Sequence, residues 1–137
     1  MKFHVEEITF STRERFQLID LTYKVEEVVK RSGIRNGLCL IYAPHATAAI
    51  IANEHERGLL TDILSKLREL FPPDIEWKHN LIDDNAHAHV ASSIVGTDRV
   101  FPVINGRLVR GTWQNIFFVE MDGPRNYRKV LVVVIGE

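Results

Sequence analysis

The sequence contains one cysteine, no apolar run of membrane length and no excess of charge of either sign. Because Cys39 is alone, it cannot form an internal disulfide, and its apolar neighbours indicate a buried strand. No stretch approaches the ~20 apolar residues of a membrane span, and the first residues lack the apolar segment of a signal peptide. Lys and Arg total 17 against 18 for Asp and Glu, so no overall field would attract nucleic acid. We therefore expect a cytoplasmic protein that binds neither membranes nor nucleic acid.

The chain has the length and composition of one globular domain, which we place at residues 1–137. Its residues are 45% apolar and 26% charged, an ordinary balance for a folded protein. Helical periodicity predicts two main helices and a short third one, at 20–32, 55–71 and from Asp84 or Asn85 to Gly96. Apolar runs predict strands at 3–10, 37–43, 46–52, 99–104, 107–109, 114–121 and 127–135, with Asn105-Gly106 as a hairpin turn. The predicted fold class is α+β with a mostly antiparallel sheet.

Four of the six histidines lie on connections or at the start of a helix, where side chains can converge. These are His45, His79, His87 and His89. In the first turn of a helix the rings of His87 and His89 diverge by about 200°, so at most one of them can join His45 and His79. Imidazole is a common zinc ligand, and three protein ligands with an open fourth position are typical of a catalytic site. The irregular spacing also fits histidines that only satisfy hydrogen bonds, and both interpretations stay open on spacing alone.

Three acidic residues near these histidines are candidates for proton transfer or for orienting an imidazole. They are Glu54, Asp83 and Asp84. Glu54 precedes the long helix, where a carboxylate also complements the helix dipole. Asp83 and Asp84 suit turn or cap positions equally well.

A second group of polar residues comes late in the chain. Gly111-Thr112-Trp113-Gln114 places a hydroxyl, an indole and an amide together before an apolar strand, and Arg125 and Arg128 follow a turn. Arginine side chains on such a turn can bind a phosphate with two parallel hydrogen bonds, although a solvated surface position is the simpler interpretation.

Taken together in order, these blocks resemble the YjbQ family, also called the secondary thiamine-phosphate synthase family, over essentially the whole chain. The matching blocks are Pro44-His45-Ala46-Thr47-Ala48, Asn53-Glu54, His79, Asp83-Asp84, His89, Ala91-Ser92-Ser93, Gly96, Pro102-Val103, Gly106, Gly111-Thr112-Trp113-Gln114, Gly123-Pro124-Arg125 and Gly136-Glu137. Each block alone is weak, but their combination is specific. The resemblance implies a small α+β subunit that assembles as a homotrimer with sites near subunit contacts. It also implies a side activity that joins a pyrimidine diphosphate to a thiazole phosphate.

The resemblance also implies roles for individual residues. The family histidines fall on His45, His79 and His89, which would hold a divalent ion, most simply zinc, while His87 is not a family histidine. The family's acidic positions fall on Glu54, expected to handle a proton, and on the Asp83-Asp84 stretch, where Asp84 is the second catalytic candidate. The substrate-binding expectations are a phosphate oriented by Arg125 and a pocket lined by Thr112, Trp113 and Gln114.

The sequence therefore predicts a metal-assisted enzyme acting on a small phosphorylated substrate. A non-catalytic metal-binding or metabolite-binding protein that uses the same cluster is the first alternative. A protein whose histidines only bridge subunits is the second.

Overall fold

The computed structural model describes residues 1–137 and confirms the α+β class. The helices are α1 (Thr22–Ser32), α2 (Arg57–Leu70) and α3 (Ala86–Val95), with a 3₁₀ turn at Lys78–Leu81. The strands are β1 (Lys2–Phe10), β2 (Gln17–Asp20), β3 (Gly37–Tyr42), β4 (Ala48–Asn53), β5 (Asp98–Ile104), β6 (Arg107–Leu108), β7 (Asn115–Glu120) and β8 (Arg128–Gly136). None of the three helices has the length and apolar character that a membrane crossing requires.

The strands form two sheets in which every pairing is antiparallel. The large sheet has the order β1-β8-β3-β5-β6 and the small sheet the order β2-β7-β4. The sequence did not predict β2, nor that β7 and β8, consecutive in the chain, lie in different sheets. The reason is visible in β7, whose side chains are buried on both faces, so this strand lies between two layers.

The core is built from alternating side chains of facing sheets. Ile116 and Phe118 of β7 pack with the inward residues of the large sheet, such as Val132. Val119 lies on the opposite face of the small sheet and packs with Phe16, Phe71 and residues of α2 and α3. The order of layers is therefore large sheet, small sheet and a pair of helices, with full burial of each large apolar side chain contributing about 1.5–3 kcal/mol.

The helix ends follow local signals. The Asp20 carboxylate accepts a hydrogen bond from the backbone N–H of Thr22 (2.8 Å), and Gly33 ends α1 in the left-handed region at φ 68°. Helix α2 begins at Arg57, two residues later than predicted, because the side chain of Glu56 accepts hydrogen bonds from the first turn. Helix α3 begins after Asn85 and ends before Gly96, as predicted.

The outer face of the large sheet carries apolar side chains that no layer of this chain covers. Phe3 is 69% exposed, and Val5, Leu38, Tyr42, Val100 and Ile104 are also exposed. The register places Phe3 beside Ile135 and Leu38 beside both Ile135 and Pro102, so these residues form one continuous patch. We refer to it as the outer face. An apolar surface of this extent is typical of a protein–protein contact.

Candidate functional site

The structure brings His79 and His89 together beside α3. Their ring centroids are 4.9 Å apart at an interplanar angle of 70°. His79 comes from the 3₁₀ turn and His89 from the first turns of α3, and both line a cleft of about 480 Å³ with Trp77. His87 lies on the other side of the helix, fully buried, and donates from Nε2 to the carbonyl of Met121 (2.8 Å). Burial lowers the pKa of His87, so this imidazole is an internal, neutral group.

The orientation of His79 is set by Asn85. The Nδ2 group of Asn85 donates to the carboxylate of Asp122 (2.7 Å), and since a carboxylate only accepts, the Oδ1 atom must be the end that faces His79. The Nε2 atom of His79 lies 3.2 Å from that oxygen and therefore donates to it. In the neutral imidazole this arrangement leaves Nδ1 with a free lone pair.

Asp122 connects this pair to a buried ion pair between the two sheets. The backbone N–H of Asp122 donates to Glu120 (3.1 Å), whose carboxylate is fully buried and paired with the guanidinium of Arg128. Thr12 donates to the same carboxylate (2.8 Å), and Arg128 donates to the hydroxyl of Thr47 (3.0 Å). These contacts hold three segments, before β2, before β4 and at the start of β8, in one fixed arrangement.

His45 lies on the loop between β3 and β4, near this ion pair. Its Nε2 atom lies 3.0 Å from the carbonyl oxygen and 3.1 Å from the amide nitrogen of Lys129, so either tautomer finds a backbone partner. The tautomer that donates from Nε2 to the carbonyl leaves a free lone pair on Nδ1. Burial, and next the positive charge of Arg128, lower the pKa of His45. The imidazole is neutral near pH 7, which is the state that binds a metal.

The structure does not bring His45 to His79 and His89 within one chain. No group of three or more His, Cys, Asp or Glu side chains in the chain is placed to hold a metal ion. The centroid spacing of the two-histidine pair nevertheless matches that of two zinc ligands. Two imidazoles on a tetrahedral zinc ion, each with a nitrogen about 2.0–2.1 Å from the metal, have ring centroids about 5 Å apart. One chain would thus supply two ligands of such a site.

Glu54 lies at the opposite end of β4 from His45. We call the two ends of the small sheet the Glu120 end, where Ala48 pairs with Glu120, and the Asn115 end, where Asn53 pairs with Asn115. Strand β4 covers five steps of about 3.3 Å, which separates the two ends by roughly 17 Å. The Glu54 side chain is half-buried and makes no hydrogen bond or ion pair, whereas Glu56 accepts from Gly58 and Leu59 (2.8 Å each). The capping explanation considered for Glu54 therefore applies to Glu56.

Thr112, Trp113 and Gln114 also lie at the Asn115 end, immediately before β7. The indole of Trp113 is 68% exposed, and the Gln114 side chain accepts from the backbone N–H of Gly111 (2.7 Å). Gln114 borders a cleft of about 510 Å³ that reaches β4 and β5. The predicted pocket residues therefore lie close together, with Glu54 at the same end of the sheet.

The remaining predicted residues lie near the Glu120 end. Arg125 donates to the Asp122 carboxylate (2.6 Å) and to its carbonyl (3.0 Å), so most of its guanidinium is occupied within the chain. The backbone carbonyl of Asp84 accepts from Arg15 (2.9 Å), and its own side chain is exposed and unpaired. Sequence reasoning missed the role of Asn85, which it placed only at the start of the third helix. Its partner Asp122 is 37 positions away in the chain, and no local sequence pattern predicts such a contact.

Comparison with known proteins agrees with the resemblance read from the motifs. A curated UPF0047 protein of Methanothermobacter thermautotrophicus is 44% identical over 137 residues, covering 100% of this chain and 95% of that protein. The UPF0047 protein YugU of Bacillus subtilis is 41% identical over 122 residues, covering 86% of this chain and 89% of YugU. A crystal structure of a YbjQ-like protein of unknown function from Sulfolobus solfataricus superposes with a TM-score of 0.98 at 57% identity, covering 99% of each chain. Because the family model described as UPF0047 protein YjbQ-like also matches residues 6–137, the chain belongs to this family.

Proposed function

We propose that this protein is a metal-assisted enzyme acting on a small phosphorylated substrate, as the resemblance to secondary thiamine-phosphate synthases implies. The observation that carries the proposal is the His79–His89 pair, with centroids 4.9 Å apart and with one ring oriented by Asn85. An amide or carboxylate that fixes the tautomer of a ligating imidazole is the usual companion of a metal-binding histidine. A divalent ion held there, most simply zinc, would supply charge stabilisation for a leaving diphosphate or would activate a water molecule.

The third histidine and the acid come from different copies of the chain. His45 and Glu54 border the two ends of β4, so they share one site only where two subunits meet. The outer face offers the surface for such an assembly, because its exposed apolar residues include Phe3, Leu38 and Val100. A closed homotrimer would bury this face without leaving a free edge. We also expect the assembly to work in the cytoplasm.

In this arrangement His45, His79 and His89 bind the ion and Glu54 accepts or returns a proton. Thr112, Trp113 and Gln114 enclose the organic part of the substrate, the indole by stacking and the amide by hydrogen bonds. Asp84, which is exposed and directly precedes Asn85, is the second candidate for proton transfer.

The test combines metal content, mass and turnover on the same preparations. We expect about one zinc ion per subunit in the purified protein, a trimer mass in light scattering, and loss of zinc in His79→Ala, His89→Ala and His45→Ala. His4→Ala is the matched control, since His4 pairs with Glu6 on β1, away from the cleft. Formation of thiamine phosphate from the pyrimidine diphosphate and the thiazole phosphate should disappear with the metal. Retained zinc without turnover of any phosphorylated substrate would favour the non-catalytic alternative, and a zinc-free wild-type protein would refute the metal site.

A further inference from the structure

A cleft beside α1 is larger than both the Gln114 cleft and the histidine cleft, and it reaches Thr112 near the Asn115 end of the small sheet. It measures about 1050 Å³, against about 510 Å³ for the cleft at Gln114 and about 480 Å³ for the histidine cleft. It lies between the C-terminal half of α1 and the β5–β6 turn with the segment that follows β6. Only 3 of its 13 lining residues are hydrophobic, so its walls are polar.

The charges on these walls are strongly one-sided. Lys30, Arg35, Arg107 and Arg110 line the cleft, and Glu26 is the one acidic residue among them. Glu26 lies 3.6 Å from Arg110, and the side chains of Lys30, Arg35 and Arg107 form no ion pair or hydrogen bond. The complete chain carries a net charge of −1, so this concentration of positive charge is local. Several unpaired cations at one concave site attract and retain an anion.

Backbone contacts fix the two chain segments that carry Arg35 and Arg107. Gly106 donates its N–H to the carbonyl of Arg35 (2.9 Å), which fastens the β5–β6 turn to the segment after α1. A Cβ atom added to Gly106 would lie 3.6 Å from Nη1 of Arg35, so the Arg35 guanidinium lies over the turn, next to Arg107. Asn105 and Gly106 both have positive φ, the conformation of a tight two-residue hairpin.

Arg110 contributes a further guanidinium from the floor of the cleft. Its Nη1 atom donates to the carbonyl of Gln114 (3.0 Å), which fixes the group, and its buried Nε atom has no hydrogen-bond partner. Thr112, whose hydroxyl is exposed, stands at the rim. Guanidinium groups bind phosphate oxygens through paired hydrogen bonds, and a hydroxyl adds another donor.

We propose that this cleft is an anion site for the phosphate or diphosphate group of a small organic ligand, recognised by Arg35, Arg107 and Arg110. Arg35 and Arg107 give such a ligand unpaired guanidinium groups that the Glu120 end lacks, since Arg125 is already bound to Asp122. The proposal concerns binding alone and does not depend on the histidine pair or on a metal.

The experiment titrates inorganic pyrophosphate into EDTA-treated protein at constant ionic strength, followed by backbone amide NMR shifts and calorimetry. We expect saturable binding, with shift changes at residues 33–35 and 105–112. The double substitution Arg35→Gln/Arg107→Gln should weaken binding at least about tenfold, because two bidentate partners are lost. Both side chains are exposed, so the fold should tolerate the change.

The matched control is Arg13→Gln/Arg57→Gln, which removes two exposed and unpaired arginines outside the cleft. It removes the same formal charge and should leave the pyrophosphate affinity within about twofold. Equal weakening in both double variants, shifts centred on His79 and His89, or no saturation at all would each overturn the assignment. Because EDTA removes any metal, a failure here leaves the proposed metal enzyme unaffected, and loss of zinc in the histidine variants leaves the cleft unaffected.

Discussion

Replacing Arg128 by methionine tests the buried ion pair that holds the Glu120 end together. In the native protein Arg128 donates from Nε to Glu120 (2.9 Å), from Nη2 to the same carboxylate, and from Nη2 to Thr47 (3.0 Å). The variant keeps Thr12 and the Asp122 amide as donors to Glu120, but it leaves a fully buried carboxylate without its cation. Removing one partner of a buried pair costs about 3–5 kcal/mol, a large part of the 5–15 kcal/mol that stabilises an ordinary domain.

The measurement is urea unfolding at pH 7, followed by circular dichroism at one fixed protein concentration, since assembly makes apparent stability depend on concentration. We expect Arg128→Met to lower the free energy of unfolding by about 3–5 kcal/mol. The double variant Glu120→Gln/Arg128→Met should recover a substantial part of that loss, because the buried charge is then removed as well. If Arg128→Met costs less than about 1 kcal/mol, or if the double variant is no more stable than the single one, the buried carboxylate is not the source of the cost.

Three further outcomes follow from the site. Asn85→Ala should weaken zinc affinity about 10–100-fold without changing the mass of the assembly, because His79 loses the acceptor that fixes its tautomer. Competition with a chromogenic chelator measures the affinity, and an unchanged value would contradict this prediction. Glu54→Gln should keep the metal and the melting temperature while lowering turnover roughly 10²-fold, and unchanged turnover would remove Glu54 from the mechanism. Hydrogen bonds from Thr22, Asn115 and His55 outweigh the effect of burial and lower the pKa of Asp20 from 3.8 to about 2. The stability that the ionised Asp20 contributes is present above pH ~4 and is lost as the pH falls towards 2. Asp20→Asn should therefore melt at a lower temperature than wild type at pH 6, and the two melting temperatures should converge near pH 2.

Much of the fold was accessible from sequence because its signals are local. The alternation in β1, the apolar face of α1 and the glycine after it, and the Asn105-Gly106 hairpin each depend on neighbouring residues, and the structure confirms all of them. Strand β2 was not predicted because its four residues show no clear alternation. They are only half-buried, and the strand pairs with β7 alone. The division into two sheets escaped because it depends on packing between distant segments.

For the candidate site, too, local features could be predicted from the sequence and contacts between distant segments could not. The motifs supplied the candidate residues, and the helix geometry correctly separated His87 from His89 on opposite sides of α3. The strand predicted at 46–52 already separates His45 from Glu54, but the sequence could not reveal which distant segments meet each end of that strand. Nor could the sequence reveal that the Asp122 carboxylate accepts hydrogen bonds from both Arg125 and Asn85, because those contacts form only in the folded chain.

The length of β4 has a genetic consequence. Because β4 separates His45 from Glu54, each proposed site takes these two residues from different subunits. A subunit with a substitution at one end of β4 can therefore still supply the intact residue at the other end. In the proposed trimer, the His45→Ala protein would be inactive alone, and the Glu54→Gln protein would keep roughly a hundredth of the activity. Unfolded together and refolded as a mixture, they would form mixed trimers that each contain one intact pairing, and the sample would regain about a quarter of wild-type activity. Recovery of activity on mixing the two variants would thus indicate that His45 and Glu54 of one site come from different subunits.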